Sequence, residues 1–167
     1  KQKTAYEIRP RDWSSDVCSS DLSLFHLFNN IVTKSSQHST FDSNDFRTVL
    51  DSGIMVFGMA NVPNLNNEAE ISKAVRENLK RNVLCGELEL STGKVAATVA
   101  IADEKTLDNI PQEYLDNAFN QLNRTLQPGS TVHQGVYKGN KEGLSIFTAI
   151  GGIATPEGKL QIGRAHV

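Results

Sequence analysis

The sequence has few cysteines, few aromatic residues and no excess of basic charge. Its 167 residues include two cysteines and one tryptophan, aromatic residues make up 7%, and the formal net charge is −2. So little cysteine argues against a disulfide-stabilised secreted domain, and the charge balance argues against a nucleic-acid-binding surface. No apolar run approaches the roughly 20 residues of a membrane-spanning helix, and no signal peptide is recognisable. We therefore expect a cytoplasmic protein that neither binds nucleic acid nor inserts into a membrane.

The two ends of the chain, residues 1–22 and 162–167, resemble translated DNA adapter more than natural protein. The segment DVCSSD, residues 16–21, can be encoded as GACGTGTGCTCTTCCGAT, and the reverse complement of that string encodes the C-terminal IGRAHV. One DNA element read on opposite strands can thus supply both ends, and it is similar to a common sequencing adapter. The alternative is a polar tail with a coincidental match. We expect an artefact at both ends, so that residues 23–161 carry the fold.

Hydrophobic periodicity divides the remaining residues into helices and strands. Apolar residues at helical spacing predict amphipathic helices, whereas short apolar or alternating runs bounded by glycine, proline and asparagine predict strands and turns. The predicted helices are residues 23–35, 42–50, 66–82 and 111–126. The predicted strands are residues 53–61, 94–102, 131–137 and 144–150, with a short extended piece at residues 87–92.

This order of elements predicts an α/β fold. The expected architecture is a two-layer sandwich, in which helices pack on one face of a small mixed β-sheet, preceded by the end of a long helix. Residues 23–41 are expected to form the end of that central helix and a loop, and residues 42–161 a single domain. We also expect the isolated chain to expose Phe25, Phe28 or Ile31 from the apolar face of the helix and to be poorly soluble.

Two acids three residues apart, Asp42 and Asp45, stand at the start of the predicted helix 42–50. One interpretation is structural: Asp42 caps the helix and Asp45 takes the acidic position of a capping box. The other is chemical: a pair of carboxylates can orient and polarise a water molecule. Composition favours capping, because capping signals are common and motif matches carry false positives.

The other residues that could ligate a metal or act as a nucleophile stand alone in the sequence. His133 lies in a predicted strand without a second ligand at metal-site spacing, so it is predicted to be a structural or surface residue and no metal site is assigned. Cys85, the one cysteine left when the ends are excluded, has no identifiable base and is also predicted to be structural. The glycines form neither a GxxxxGK[ST] nor a GxGxxG phosphate-binding loop.

The stretch FDSNDFRTVLDSGIMVFGMA, residues 41–60, resembles the tubulin/FtsZ superfamily. The resemblance consists of an Asp-x-x-Asp loop, a helix that continues Arg-Thr-Val, and a glycine-bounded strand. The matching residues are Asp42, Asp45, Arg47, Thr48, Val49, Leu50, Gly53 and Gly58. The following order of elements, ending in FTAIGGI, is similar to the C-terminal domain of that family. The chain thus resembles this domain over most of residues 23–160, with divergent FtsZ-like or CetZ-like proteins as the nearest candidates.

The resemblance implies a cytoskeletal or cell-division GTPase that acts by polymerising. Family members bind GTP in an N-terminal domain and stack head to tail, so that the acidic loop of one subunit positions the hydrolytic water at the nucleotide of the next. Carried over, Asp42 and Asp45 would be the catalytic acids, and the partner would be a second copy of the chain. GTP, with its own Mg²⁺, would be held by the missing N-terminal domain and by the adjacent subunit.

Two departures from the family pattern limit this expectation. Thr40 stands where FtsZ usually has asparagine, and the glycine-rich phosphate loop of the family is absent. We therefore do not expect the chain alone to bind or hydrolyse GTP. Two alternatives remain: a small α/β ligand-binding or regulatory domain in which the acids only cap a helix, and a metabolic enzyme whose site residues lie outside this chain.

Overall fold

The computed structural model describes residues 23–31, 41–62, 64–79, 88–140 and 142–155. The helices in this part of the chain are α1 (23–31), α2 (Ser43–Leu50), α3 (Glu68–Glu77), α4 (Glu104–Asn109) and α5 (Gln112–Asn123). The strands are β1 (Met55–Val62), β2 (Val95–Ala102), β3 (Thr131–Lys138) and β4 (Leu144–Gly151). Among the described helices, none is both long and apolar enough to cross a bilayer. The predicted adapter-derived ends and the predicted structural Cys85 lie outside the described residues.

The four strands form one mixed sheet in the order β1-β4-β2-β3. The central strand β4 runs antiparallel to both β1 and β2, whereas β2 and β3 are parallel. Parallel neighbours need a crossover connection, and here it contains α4 and α5. As a result, β1 and β3 are the edges of the sheet, and β3 is the edge next to the loop that precedes α2.

Helices cover both faces of this sheet. The residues of β2 alternate between two apolar clusters: Ala96 and Ala100 pack with α3 and α5, whereas Ala97 and Val99 pack with α1 and α2. The predicted α/β class and the small mixed sheet are confirmed, but the prediction that helices lie on one face only is corrected. The physical reason is that β2 is apolar at nearly every position, which suits a strand buried on both sides.

The predicted strands and the three described amphipathic helices α1, α3 and α5 are present, with differences of a few residues at their ends. The extended piece predicted at residues 87–92 is wrong in its described part, because Leu90–Thr92 forms a short 3-10 helix. Its tight turn is stabilised by the Thr92 hydroxyl, which donates to the Glu89 carbonyl at 2.7 Å. The distal parts of the predicted helices 23–35 and 66–82 fall outside the described residues.

One short helix, α4, was not predicted from the periodicity. Its N-cap is Asp103, which accepts hydrogen bonds from the backbone N–H and the side-chain hydroxyl of Thr106. The hydrogen bond from the Thr106 hydroxyl is the main cause that holds the pKa of the Asp103 carboxyl below its usual value. The N–H of Gly143 also donates to Asp103, so this cap joins α4 to the loop between β3 and β4.

Candidate functional site

The two acids singled out in the sequence form a complete capping box at the start of α2. The Oδ1 atom of Asp42 accepts hydrogen bonds from the N–H groups of Asn44 at 2.8 Å and Asp45 at 2.9 Å. The Oδ2 atom of Asp45 in turn accepts from the N–H of Asp42 at 3.2 Å. The structural interpretation of the acids is therefore confirmed. The geometry does not exclude the chemical one, because Asp42 is exposed and its Oδ2 atom accepts no hydrogen bond within the described residues.

The second carboxylate also contacts a histidine that is distant in the sequence. The Nδ1 atom of His133, on the edge strand β3, lies 2.9 Å from Oδ1 of Asp45. Both side chains are largely buried, with exposed fractions of 17% for His133 and 25% for Asp45. The other ring nitrogen of His133, Nε2, is buried and has no hydrogen-bond partner in the part of the chain that the structure describes. Sequence reasoning missed this pairing, because spacing along the chain says nothing about an edge strand that returns beside α2.

The residue before the acids is anchored by the same strand. Phe41 is buried, and its backbone carbonyl accepts a hydrogen bond from the hydroxyl of Tyr137. Between His133 and Tyr137, Gly135 leaves room for this contact: an added Cβ would lie 2.6 Å from the Tyr137 ring and 2.9 Å from Cβ of Phe41. We call His133, Gly135 and Tyr137 the β3 cradle, because these alternate residues of one strand face contact residues 41–45.

The acids also act electrostatically on the cradle. The pKa of Tyr137 is raised, first because the phenol is removed from water and second because the carboxylates of Asp42 and Asp45 disfavour a phenolate nearby. Tyr137 therefore remains a neutral hydrogen-bond donor to Phe41. The Tyr137 hydroxyl therefore keeps its proton, and with it the hydrogen bond that holds the loop, to a higher pH than an ordinary tyrosine would.

An aromatic cluster supports the loop from the side of α1. Phe28 is fully buried and packs against the rings of Phe41, Phe46 and Phe57 at centroid distances of 6.1, 5.7 and 5.8 Å. Phe25 contacts Phe46 and Phe57 as well but is 37% exposed. Aromatic pairs at these distances add to the stability that burial provides. The start of α2 is thus packed between α1 and β3.

A search of the described residues finds no group of three or more His, Cys, Asp or Glu side chains that could hold a metal ion. Asp45 and His133 are a pair without a third ligand among these residues, and His26 is exposed on α1.

A scan against protein-family models gave no match, and a search of the curated proteins gave none either. Solved structures do match. TubZ of Bacillus thuringiensis serovar israelensis, in GDP-form protofilaments, superposes with a TM-score of 0.75 at 15% identity, over 92% of this chain and 40% of that chain. An FtsZ dimer from M. jannaschii gives a TM-score of 0.55 at 19% identity, over 72% of this chain and 33% of that chain.

A third structure, CetZ2 from Haloferax volcanii in a GTPγS-bound protofilament, gives a TM-score of 0.55 at 19% identity. It is matched over 77% of this chain and 41% of that chain. The chain thus spans about two fifths of the length of the TubZ chain that it matches. These likenesses establish that the chain has the fold that the tubulin/FtsZ superfamily members TubZ, FtsZ and CetZ share over part of their length.

Proposed function

We propose that this chain is the C-terminal domain of a polymerising GTPase of the tubulin/FtsZ type. In this proposal, residues 41–45 of one subunit complete the GTP site of the adjacent subunit in a protofilament. The observation that carries the proposal is the fold likeness to TubZ over 92% of the chain, in a structure described as GDP-form protofilaments. A related TubZ structure is described as a GTPγS-form protofilament. The nucleotide would be bound by parts of the complete protein outside this chain.

The two carboxylates are suited to different parts of this task. Asp42 is exposed and has one carboxylate oxygen, Oδ2, to which no described residue donates a hydrogen bond, so this oxygen can accept one from an attacking water. Asp45 is held through both of its oxygens, by the N–H of Asp42 and by the ring of His133. Asp45 would therefore set the orientation of the pair and contribute negative charge, which the Mg²⁺ of the nucleotide would balance. Phosphoryl transfer depends mainly on such positioning and charge compensation.

Replacement by asparagine separates catalysis from helix capping. Asparagine caps helices about as well as aspartate but carries no charge and is a poor base. In the complete protein that contains this domain, we expect Asp42→Asn and Asp45→Asn each to lower GTP turnover by about 100-fold or more, the order reported for loss of one stabilising group. GTP binding should remain. The measurement is phosphate release under assembly conditions, together with nucleotide binding and the midpoint of thermal unfolding.

Asp51→Asn is the matched control, because Asp51 lies at the other end of α2 and forms an exposed ion pair with Arg47 at 3.4 Å. It should leave turnover unchanged. Alanine variants at the two acids should also lose turnover, but with an additional loss of about 0.5–2 kcal/mol of stability from the cap. Full turnover in both asparagine variants would reject the catalytic role and favour the alternative, a ligand-binding or regulatory domain in which the acids only cap α2.

A mixing experiment tests whether the site is shared between subunits. An acid variant and a variant that cannot bind GTP are each expected to be inactive alone. Mixed protofilaments contain interfaces in which an intact acidic loop meets a bound nucleotide, so turnover should return in part. Absence of any recovery in filaments shown to contain both variants would contradict a composite site.

A further inference from the structure

We propose that His133 is a positioning residue that holds the carboxylate of Asp45 in the orientation that the GTP site of the neighbouring subunit requires. This inference rests on the proposed function, because it assigns a supporting group to the same acidic loop. It adds a residue that neither the motif around residues 41–60 nor the fold likeness identifies.

The first observation concerns the contacts of Asp45. The hydrogen bond from the N–H of Asp42 is 3.2 Å long, at the upper limit of the usual range for N–H donors. The contact with Nδ1 of His133 is shorter, at 2.9 Å, and most of the side chain is buried. Of these two partners, the His133 ring is the closer one, and it lies against the oxygen that the N–H of Asp42 does not contact.

The second observation concerns the element that carries His133. The strand β3 pairs with β2 along its whole length, and His133 lies opposite Ala97, whose side chain is small and buried. Two and four residues further, Gly135 and Tyr137 contact Phe41. One strand face thus sets the position of both ends of residues 41–45. A group on a paired strand is a more rigid support than a group on a loop.

The third observation separates positioning from proton transfer. A carboxylate beside Nδ1 of a histidine is the arrangement that orients a catalytic imidazole, whose Nε2 then takes the proton. Nε2 of His133 is buried and has no hydrogen-bond partner among the described residues. A general base must come within hydrogen-bonding reach of the proton that it takes, and in this structure Nε2 is not exposed to a substrate. The pair therefore acts in the opposite direction: the imidazole orients the carboxylate.

The test compares three substitutions in the complete protein. In His133→Asn, the amide nitrogen stands at the same bond separation from Cβ as Nδ1, so the variant retains a donor towards Asp45. In His133→Gln, the donor lies one bond further out, and His133→Leu removes it altogether. We expect His133→Leu and His133→Gln to lower kcat by about 10- to 100-fold, the effect of a misplaced group, with little change in KM for GTP. His133→Asn should stay within a few-fold of the wild type.

His26→Leu is the control, because His26 is exposed on α1 and distant in sequence from the acids. A second readout does not depend on GTP: the ring ¹⁵N signals of His133 in the 167-residue chain. Asp45→Asn should shift the Nδ1 signal, whereas Asp51→Asn should not. Denaturation midpoints for all variants identify any that fail to fold. If His133→Leu does not fold, the comparison of His133→Asn with His133→Gln still tests the position of the donor.

The possible outcomes distinguish the two proposals. Reduced kcat in His133→Leu with rescue in His133→Asn supports positioning through a donor at the Nδ1 location. Wild-type turnover in His133→Leu, while Asp45→Asn is inactive, overturns the role of His133 and leaves the proposed function intact. Equal loss in folded His133→Leu and His133→Asn overturns the donor mechanism. Wild-type turnover in Asp45→Asn rejects the catalytic role of Asp45 and the positioning role of His133 together.

Discussion

The carboxylate of Asp45 has two partners, one local and one distant. Its contact with the N–H of Asp42 follows from the helix start, and sequence reasoning predicts it from the Asp-x-x-Asp spacing. Its contact with His133 depends on where β3 lies in the sheet, and no local pattern indicates it. At the scale of single residues, capping and catalysis need not exclude each other. The cap fixes the orientation of the acid, and the proposed catalytic role would use the same orientation.

The Tyr137 hydroxyl offers a test of how firmly the acidic loop is held. Tyr137→Phe removes the donor to the buried carbonyl of Phe41, and we expect a loss of about 1–3 kcal/mol in the free energy of unfolding. Urea denaturation near neutral pH measures this loss. The contacts of the Phe41 side chain with the aromatic cluster are the same in the wild type and in Tyr137→Phe, so the difference in unfolding free energy reports on the hydroxyl. An unchanged unfolding free energy would show that the hydroxyl does not stabilise the loop.

We also expect the contribution of Tyr137 to stability to depend on pH. Because the folded-state pKa of Tyr137 is raised above its ordinary value of about 10, the unfolded chain loses this proton first as the pH rises. The stability that Tyr137 contributes is fully present below about pH 10 and is lost as the pH rises through the higher folded-state value. The wild type should therefore show an alkaline loss of stability that is smaller in Tyr137→Phe. Parallel pH profiles for the two proteins would contradict this.

At the scale of elements, two threonines that pair across strands β2 and β4 have opposite hydrogen-bonding states. Thr98 and Thr148 are opposite each other in the register, and both are fully buried. The hydroxyl of Thr148 accepts a hydrogen bond from Nδ2 of Asn78 at 2.6 Å, whereas the hydroxyl of Thr98 has no partner among the described residues. A buried polar group without a hydrogen-bond partner lowers stability. Removing one member of a buried hydrogen-bonded pair therefore also lowers stability, because the other member is left without a partner.

We therefore predict opposite effects for the same chemical change. Thr98→Val should raise the free energy of unfolding by about 1 kcal/mol, because it removes an unpaired hydroxyl at nearly constant shape. Thr148→Val should lower it by about 1–3 kcal/mol, because Nδ2 of Asn78 then loses its partner in the core. Each variant is the control for the other under identical denaturant titrations. A destabilised Thr98→Val would indicate a hydrogen bond that the structure does not contain.

At the scale of the whole molecule, the face of the sheet that carries α1 and α2 exposes apolar side chains. Phe25 is 37% exposed and Met59 is 46% exposed, and Met59 lies on the same face of β1 as the buried Phe57. The expectation that the α1 helix exposes apolar residues holds for Phe25 only. Phe28 and Ile31 are buried, because the aromatic residues of the loop and of α2 fold over them.

We expect the isolated chain to self-associate through these exposed apolar residues. The double variant Phe25→Gln and Met59→Gln should shift the sedimentation profile towards the monomer, because it removes apolar surface from the contact. Arg47→Gln, a change at a more exposed polar site, is the control and should leave the profile unchanged. A wild-type chain that sediments as a single monomer at high concentration would contradict the prediction.

The sequence by itself determined the features that depend on neighbours a few residues apart. These are the capping box at Asp42 and Asp45, the helical faces of α3 and α5, and the alternation of β2, because each follows from local hydrogen bonds or from side-chain periodicity. The loop motif at residues 41–60 also pointed to a fold that the solved TubZ, FtsZ and CetZ2 structures share.

Only the tertiary structure decided which groups meet across the sheet. The burial of β2 on both faces, the contact of His133 with Asp45 and that of Tyr137 with Phe41 all join segments far apart in the chain. Periodicity indicates that a face is buried but not which element covers it, since several helices can bury the same apolar area. The strand order, which places β3 at the edge beside α2, made an isolated histidine a partner of the acidic loop.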